Sequence, residues 1–349
     1  MVIELMPGEY IVSRSIWTKR GGLAQRPIVV RAGRPGLVRL NFVAQEGFVV
    51  AHPYWHFENL EIKGACSDDS TCEHAFHIVG NGHHAVIRNN RLLNFNAHVK
   101  VNGHEGHFPD DGLLQFNTLS NERVRRTDNP VSPVDIVAAS RWRVLDNTVS
   151  NFARTNRHPT YGVFMKGAGE GGRIERNLVL CTTADVSRSG TRVGISLGGG
   201  GTSPNACRDK VCRFEHSAGR IANNIVAFCN ESGVDINRSI GADVQHNTLV
   251  NTAGISVRGE PAVASLRANL LDGRILVRRE ATTFQIENTK IDYSDYDSAD
   301  RLRFSWLGHV PKVTIAQPLS RDFCGLPRQR SDAVGAIGVS STCVKSSGQ

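Results

Sequence analysis

The chain has no apolar run approaching the roughly eighteen residues that cross a bilayer as a helix, so a membrane span is not expected. No sustained 3.6-residue apolar period is present either, which argues against a helical fold. Aromatic residues make up only 7%, and no dense run of lysine and arginine is interleaved with them. A nucleic-acid partner is therefore not expected, although the formal net charge is +8. No charged and apolar leader precedes the first strand-like segment, because Met1 is followed within a few residues by P-G-E-Y-I-V, and a leader is expected to have been removed. What the chain has in quantity is glycine, 34 of 349 residues, spaced so that short apolar runs alternate with tight turns.

Those runs repeat. Asn59, Asn90, Asn117, Asn147, Asn177, Asn224, Asn247, Asn269 and Asn288 each open one, as in L-D-N-T-V-S at Asn147 and E-R-N-L-V-L at Asn177. The intervals lie between 19 and 31 residues, apart from one of 47 between Asn177 and Asn224. A period in this range built from strands of four to six residues marks a solenoid, in which no turn buries its apolar face alone and neighbours share one core. Leucine-rich repeats have similar periods but need a fixed leucine skeleton that is missing here. The remaining architecture is all-β, a single-stranded right-handed parallel β-helix with the asparagines stacked in a ladder. One β-helix domain is expected over 1–349, with a cap and first turn in 1–50, repeats in 51–292 and a tail in 293–349 packing on the last turn. The expected assembly is a monomer.

The eight cysteines form plausible pairs. Cys66 with Cys72 and Cys207 with Cys212 each close a short polar loop. Cys181 and Cys229 follow their asparagines by four and five places, within disulfide reach on adjacent turns. Cys324 and Cys343 remain to tie the tail. Disulfides would put the protein in a secreted or periplasmic compartment. Zinc binding is the alternative, though C-x5-C and C-x4-C are not usual zinc spacings.

The strand that follows each asparagine run and ends near glycine can be aligned without a gap: F-H-I-V-G (76–80), V-K-V-N-G (99–103), V-D-I-V-A (134–138), V-F-M-K-G (163–167), I-S-L-G-G (195–199), V-D-I-N-R (234–238) and I-S-V-R-G (255–259). The first and third positions are apolar and point inward, so the second and fourth map one outer face. That face carries His77, Lys100, Asn102, Asp135, Lys166, Asp235, Asn237 and Arg258. Lys166 is the odd member, since lysine is not a residue a strand prefers. The loop after Lys100 holds His104, Glu105, His107, Asp110 and Asp111, and the loop before Lys166 holds Arg154, Arg157, His158 and Tyr161. The long interval adds Arg192, Glu215 and His216. Long loops at one rim commonly build a cleft.

The asparagine-led repeat, the lysine closing F-M-K-G, an arginine one turn further on and the D-F-C-G-L-P-R…G-A tail together resemble the bacterial parallel β-helix polysaccharide lyases. That group is pectate lyase-like in fold and includes chondroitinase B and alginate lyases. The N-K-S and R-H-G motifs of chondroitinase B are absent, for Lys166 is followed by G-A-G and Arg192 by V-G-I. The resemblance implies cleavage of an acidic polysaccharide by β-elimination at a uronic acid. Lys166, Arg192 and His158 would be catalytic, and Lys100, Asn102, Arg157, Tyr161, Glu215, His216 and Arg258 would contact substrate. Asp110, Asp111 and Asp135 would hold Ca2+, which neutralises the substrate carboxylate in related lyases. Alternatives on the same fold are a polygalacturonase-like hydrolase using Asp110 with Asp111, a uronate epimerase, and a non-catalytic carbohydrate-binding solenoid or adhesin.

Overall fold

Each repeat supplies three short strands separated by abrupt bends, and stacking equivalent strands builds three sheets of 11, 11 and 10 strands in which every neighbour is parallel. The protein is therefore a parallel β-helix of eleven turns. The computed structural model describes residues 1–183, 190–199, 201–278, 280–292, 310–314, 319 and 321–338. Helix among them is limited to two single 3-10 turns, Asp69–Thr71 and Pro204–Ala206. Inward side chains merge into one apolar core running from Val30 to Leu271. Each fully buried Val, Leu, Ile or Phe contributes roughly 1.5–3 kcal/mol relative to exposure, so the core is the main source of stability.

The bend between the first and second sheets explains the asparagines. The residue before each has a positive φ, as at Phe116 (57°), Asp146 (58°), Arg176 (56°) and Asn223 (55°), a left-handed conformation that costs a non-glycine residue about 1–2 kcal/mol. The asparagine offsets that cost. The backbone N–H of Asn147 donates to Asn177 Oδ1 at 2.9 Å, and its amide nitrogen donates to the same oxygen at 3.0 Å and to Leu114 O at 2.9 Å. The pattern repeats from Asn90 to Asn288. Asn59 is not part of it. Leu60 occupies the ladder position of that turn and gives only its N–H to Asn90 Oδ1. Asn59 instead has the positive φ, 63°, in line with Asn89.

The third sheet has the expected register. Phe76, Val99, Val134, Val163, Ile195, Val234 and Ile255 are mutual partners along it, and all point inward. Its outward set is not uniformly exposed, since Asp135, Asp235 and Asn237 are buried by their neighbours.

Disulfides join Cys66–Cys72, Cys181–Cys229 and Cys207–Cys212. Cys343, the expected partner of Cys324, lies outside the described residues. The described part of the tail does not simply cover the last turn. Phe323 and Ala336 pack on Leu178, Leu180, Ile225, Ala227 and Val250 along the flank. Buried Arg328 fixes that segment by donating to Asn223 Oδ1 at 2.8 Å and Gly335 O at 2.6 Å.

Candidate active site

Lys100, Asp135 and Lys166 lie on three successive strands of the third sheet, Ala97–Asn102, Val134–Val137 and Thr160–Lys166. Lys100 is hydrogen-bonded to Asp135 Oδ2. Lys166 Nζ stands 3.8 Å from Oδ1, the oxygen that accepts no hydrogen bond. One carboxylate thus faces two ammonium groups, one held tightly and one loosely. Burial would raise the Asp135 carboxyl, but the charges of Lys100 and Lys166 and the Lys100 hydrogen bond outweigh it and hold the group below the ordinary carboxylate range. Both lysine side chains remain 23% exposed.

Lys166 Nζ also lies over the Phe164 ring, 4.2 Å from its centroid, and Phe164 is stacked on Tyr161 at 4.1 Å. Phe164 is itself buried, so the flat apolar surface beside the cation is that of the partly exposed Tyr161 ring. Two hollows lie on either side of this turn in the stacking order. One, of about 370 Å³, is lined by Lys100, Asn102, His104, Glu105, Phe108 and Lys210. The other, of about 330 Å³, is lined by Tyr161, Glu231, Asp235, Ser256, Arg258 and Arg278. Arg258 is not a free cation there, because it donates twice to Asp235, at 3.0 and 2.8 Å. Asn102 Oδ1 faces His77 Nε2 at 2.7 Å.

Several expected site residues are not on this face. Arg192 is only 1% exposed, among the largest fully buried side chains, and so is not placed to meet a polymer carboxylate. Glu215 and His216 are also buried: Glu215 accepts from Gly167 N at 3.1 Å and Thr202 Oγ1 at 2.9 Å, and His216 Nε2 accepts from Gly172 N at 3.3 Å. They support the turn behind Lys166. Burial pushes His216 down to about 4, which keeps it neutral. His158 and Arg157 are exposed at the rim in the loop preceding Thr160.

The three aspartates expected to hold calcium do not come together. Asp110 accepts from Arg208 at 2.7 and 2.9 Å and from Ser140 N at 2.9 Å, and Asp111 accepts from Arg141 at 2.7 and 2.8 Å. Asp135 is committed to the lysines. A calcium site needs six to eight oxygens around one point, and these carboxylates are already spent on Arg208, on Arg141, which reaches both Asp110 and Asp111, and on the lysines. The same pairing occupies Asp110 and Asp111, the two carboxylates a hydrolase would use as acid and base.

No family model matches the sequence, and no curated protein matches it. Solved structures do. Pectate lyase Pel9A superposes with a TM-score of 0.62 at 14% identity, covering 96% of this chain and 87% of that one. A rhamnogalacturonan lyase gives 0.61 at 13%, covering 86% and 84%. The A-module of the Azotobacter vinelandii mannuronan C-5 epimerase AlgE4 gives 0.51 at 10%, covering 84% and 87%. The fold is theirs. At this identity the likeness is one of architecture, so the chemistry must be argued from the residues on the face.

Three parts of the β-helix face escaped the sequence. Phe164 occupies an outward register position, where an apolar residue in V-F-M-K-G was the available signal. Arg208, inside the long interval, reaches back 98 residues to Asp110 and packs 4.4 Å from the Phe108 ring, which no local pattern announces. Glu46 and His74 form the third part, discussed below.

Proposed function

We propose that the protein cleaves a uronate-containing acidic polysaccharide by β-elimination, with Lys166 as the base. The observation that carries this reading is the row Lys100, Asp135 and Lys166, in which one buried carboxylate serves two partly exposed lysines. Elimination removes the proton at C5 beside the uronate carboxylate, forms the C4–C5 double bond and breaks the C4–O bond, the departing oxygen taking a proton from solvent to become the hydroxyl of the new reducing end. Negative charge grows on the carboxylate in that transition state, and a fixed cation there lowers the barrier. Lys100, oriented by Asp135, supplies the fixed cation. Lys166, held only at 3.8 Å, is the group with freedom to approach C5, and it takes that proton after giving its own to solvent. Tyr161, stacked on Phe164, gives the sugar ring a surface to rest on. Net charge +8 favours a polyanion, and the disulfides suit an oxidising, extracytoplasmic compartment.

The test is incubation with a panel of acidic polysaccharides, following ultraviolet absorbance of the conjugated double bond and reducing ends in parallel. Both should rise together. Lys166→Ala should lower the rate by at least about 100-fold, the usual scale for loss of a general base, while the far-ultraviolet circular dichroism stays β-rich. Reducing ends without absorbance would mean hydrolysis. Solvent deuterium entering C5 without chain cleavage would mean epimerisation, and binding without either would mean an adhesin. A Lys166→Ala variant of near-normal rate would move the base to His158 or Lys100.

A further inference from the structure

On the two turns that precede the lysine row, the same sheet brings three ligand-type atoms to one point. Glu46 opens the strand Glu46–Val50, and His74 and His77 lie on its partner His74–Val79, with Glu46 directly opposite His74. Glu46 Oε1 is 3.0 Å from His74 Nδ1 and 2.6 Å from His77 Nδ1. Among the described residues this is the only trio of His, Cys, Asp or Glu whose ligand atoms all lie within 4.8 Å of one another.

The outer nitrogen of His77 decides what the inner one must meet. Nε2 is 2.7 Å from Asn102 Oδ1, and the Asn102 amide nitrogen donates to Gly103 O at 3.0 Å, which fixes the direction of the amide. Nε2 therefore carries a hydrogen. In a neutral ring Nδ1 then presents a lone pair, aimed at a carboxylate oxygen 2.6 Å away. Two acceptors at that separation need a proton or a metal ion between them, and His74 Nδ1 points at the same oxygen. A metal ion satisfies all three at once. Its two imidazole ligands would keep their hydrogens on the far nitrogens, and Asn102 would orient His77 as outer-sphere carbonyls orient metal-binding histidines.

We infer that Glu46, His74 and His77 form a binding site for a divalent transition-metal ion of the zinc type. Two imidazoles and one carboxylate suit zinc and its neighbours and do not suit calcium, which takes oxygens. Donor distances of about 2.0–2.2 Å place tetrahedral ligands about 3.3 Å apart, so Glu46 needs to part from His77 by about 0.7 Å and from His74 by about 0.3 Å. The histidine and glutamate side chains are 17% to 19% exposed, which leaves the outer side of the site open for a water or a carbohydrate oxygen. Lys100, the register partner of His77, does not compete for the carboxylate, since Asp135 holds it. The assignment does not depend on the role given to Lys166.

The experiment uses the full chain, stripped with a chelator, desalted, and titrated with zinc by calorimetry and with cobalt(II) by visible absorption. One ion per chain is expected, with the d–d bands of nitrogen- and oxygen-ligated cobalt and no displacement by excess calcium. Glu46→Gln, which keeps size and shape, and the double variant His74→Ala/His77→Ala should each weaken zinc binding more than 10-fold with unchanged circular dichroism. Asn102→Ala should weaken it about 10-fold, the usual cost of losing an outer-sphere partner. Failure of the wild-type protein to take up zinc or cobalt at micromolar concentration would overturn the assignment whatever the variants do. So would a cobalt spectrum unchanged in folded Glu46→Gln, or ready displacement by calcium.

Discussion

At the scale of single residues, Asn147 shows why one amino acid recurs where its neighbours vary. It is fully buried, its amide nitrogen donates to Leu114 O, Leu145 O and Asn177 Oδ1, and its Oδ1 accepts from the N–H and amide of Asn117. Only a side chain with a donor and an acceptor on one planar group can do both. Asn147→Ala should therefore destabilise the protein by roughly 2–4 kcal/mol, because several buried groups lose their partner together. Asn147→Asp adds no bulk yet replaces the donor with a second acceptor, and should cost at least as much. Denaturant midpoints of the two variants against wild type check this, and an aspartate variant as stable as the native protein would refute the ladder's role. The repeat was legible in the sequence because this bonding tolerates almost no substitute. Asn59 misled because an asparagine in the left-handed position looks the same in one dimension as one in the ladder.

At the scale of elements, two-residue alternation assigned every inward position of the third sheet correctly, from Phe76 to Ile255, since a slip of one residue would expose the whole set. The same register sets Lys100 beside Asp135, the residue expected to be a calcium ligand. What alternation does not report is which outward positions are later covered, and by what. Arg192, Glu215 and His216 look like site residues in sequence and are buried in the folded chain. The long interval owes part of its placement to Arg208, which grips Asp110 with two hydrogen bonds and Ala138 O with a third at 3.2 Å. This latch predicts that Arg208→Ala leaves the β-helix intact but loosens the segment around the Cys207–Cys212 disulfide. Trypsin should then cut after Lys210 or Arg213 faster than in wild type, both under non-denaturing conditions and read by mass spectrometry. Equal cutting rates would show that the disulfide alone holds the segment. Arg208→Lys should behave more like alanine than arginine, because a single ammonium does not reproduce the two-pronged contact.

At the scale of the whole molecule, the β-helix buries histidines at widely separated turns, and they couple folding to pH in one direction. Burial pushes His98 down to about 3, and His216 to about 4, while burial and the charge of Arg328 push His246 to about 3. In the unfolded chain each titrates near 6.5, so between that value and the folded one the unfolded state binds more protons and stability falls as pH falls. At pH 4.5 the loss is on the order of 2–3 kcal/mol per histidine, and three together approach the whole stability of an ordinary domain. Asp272 works the other way, since burial raises it and protonation relieves the fold, but it is one group against three. Thermal melts followed by circular dichroism should therefore show a steep fall in Tm from pH 7.5 to pH 4.5. His98→Gln, which keeps a nitrogen donor toward Ser120 O but does not titrate, should flatten the pH dependence of stability by about 1.4 kcal/mol per pH unit between about pH 6 and pH 4.5. A Tm constant or rising toward pH 4.5 would mean that these rings reach solvent in the native state, and with that the packing described for the middle turns would have to be abandoned.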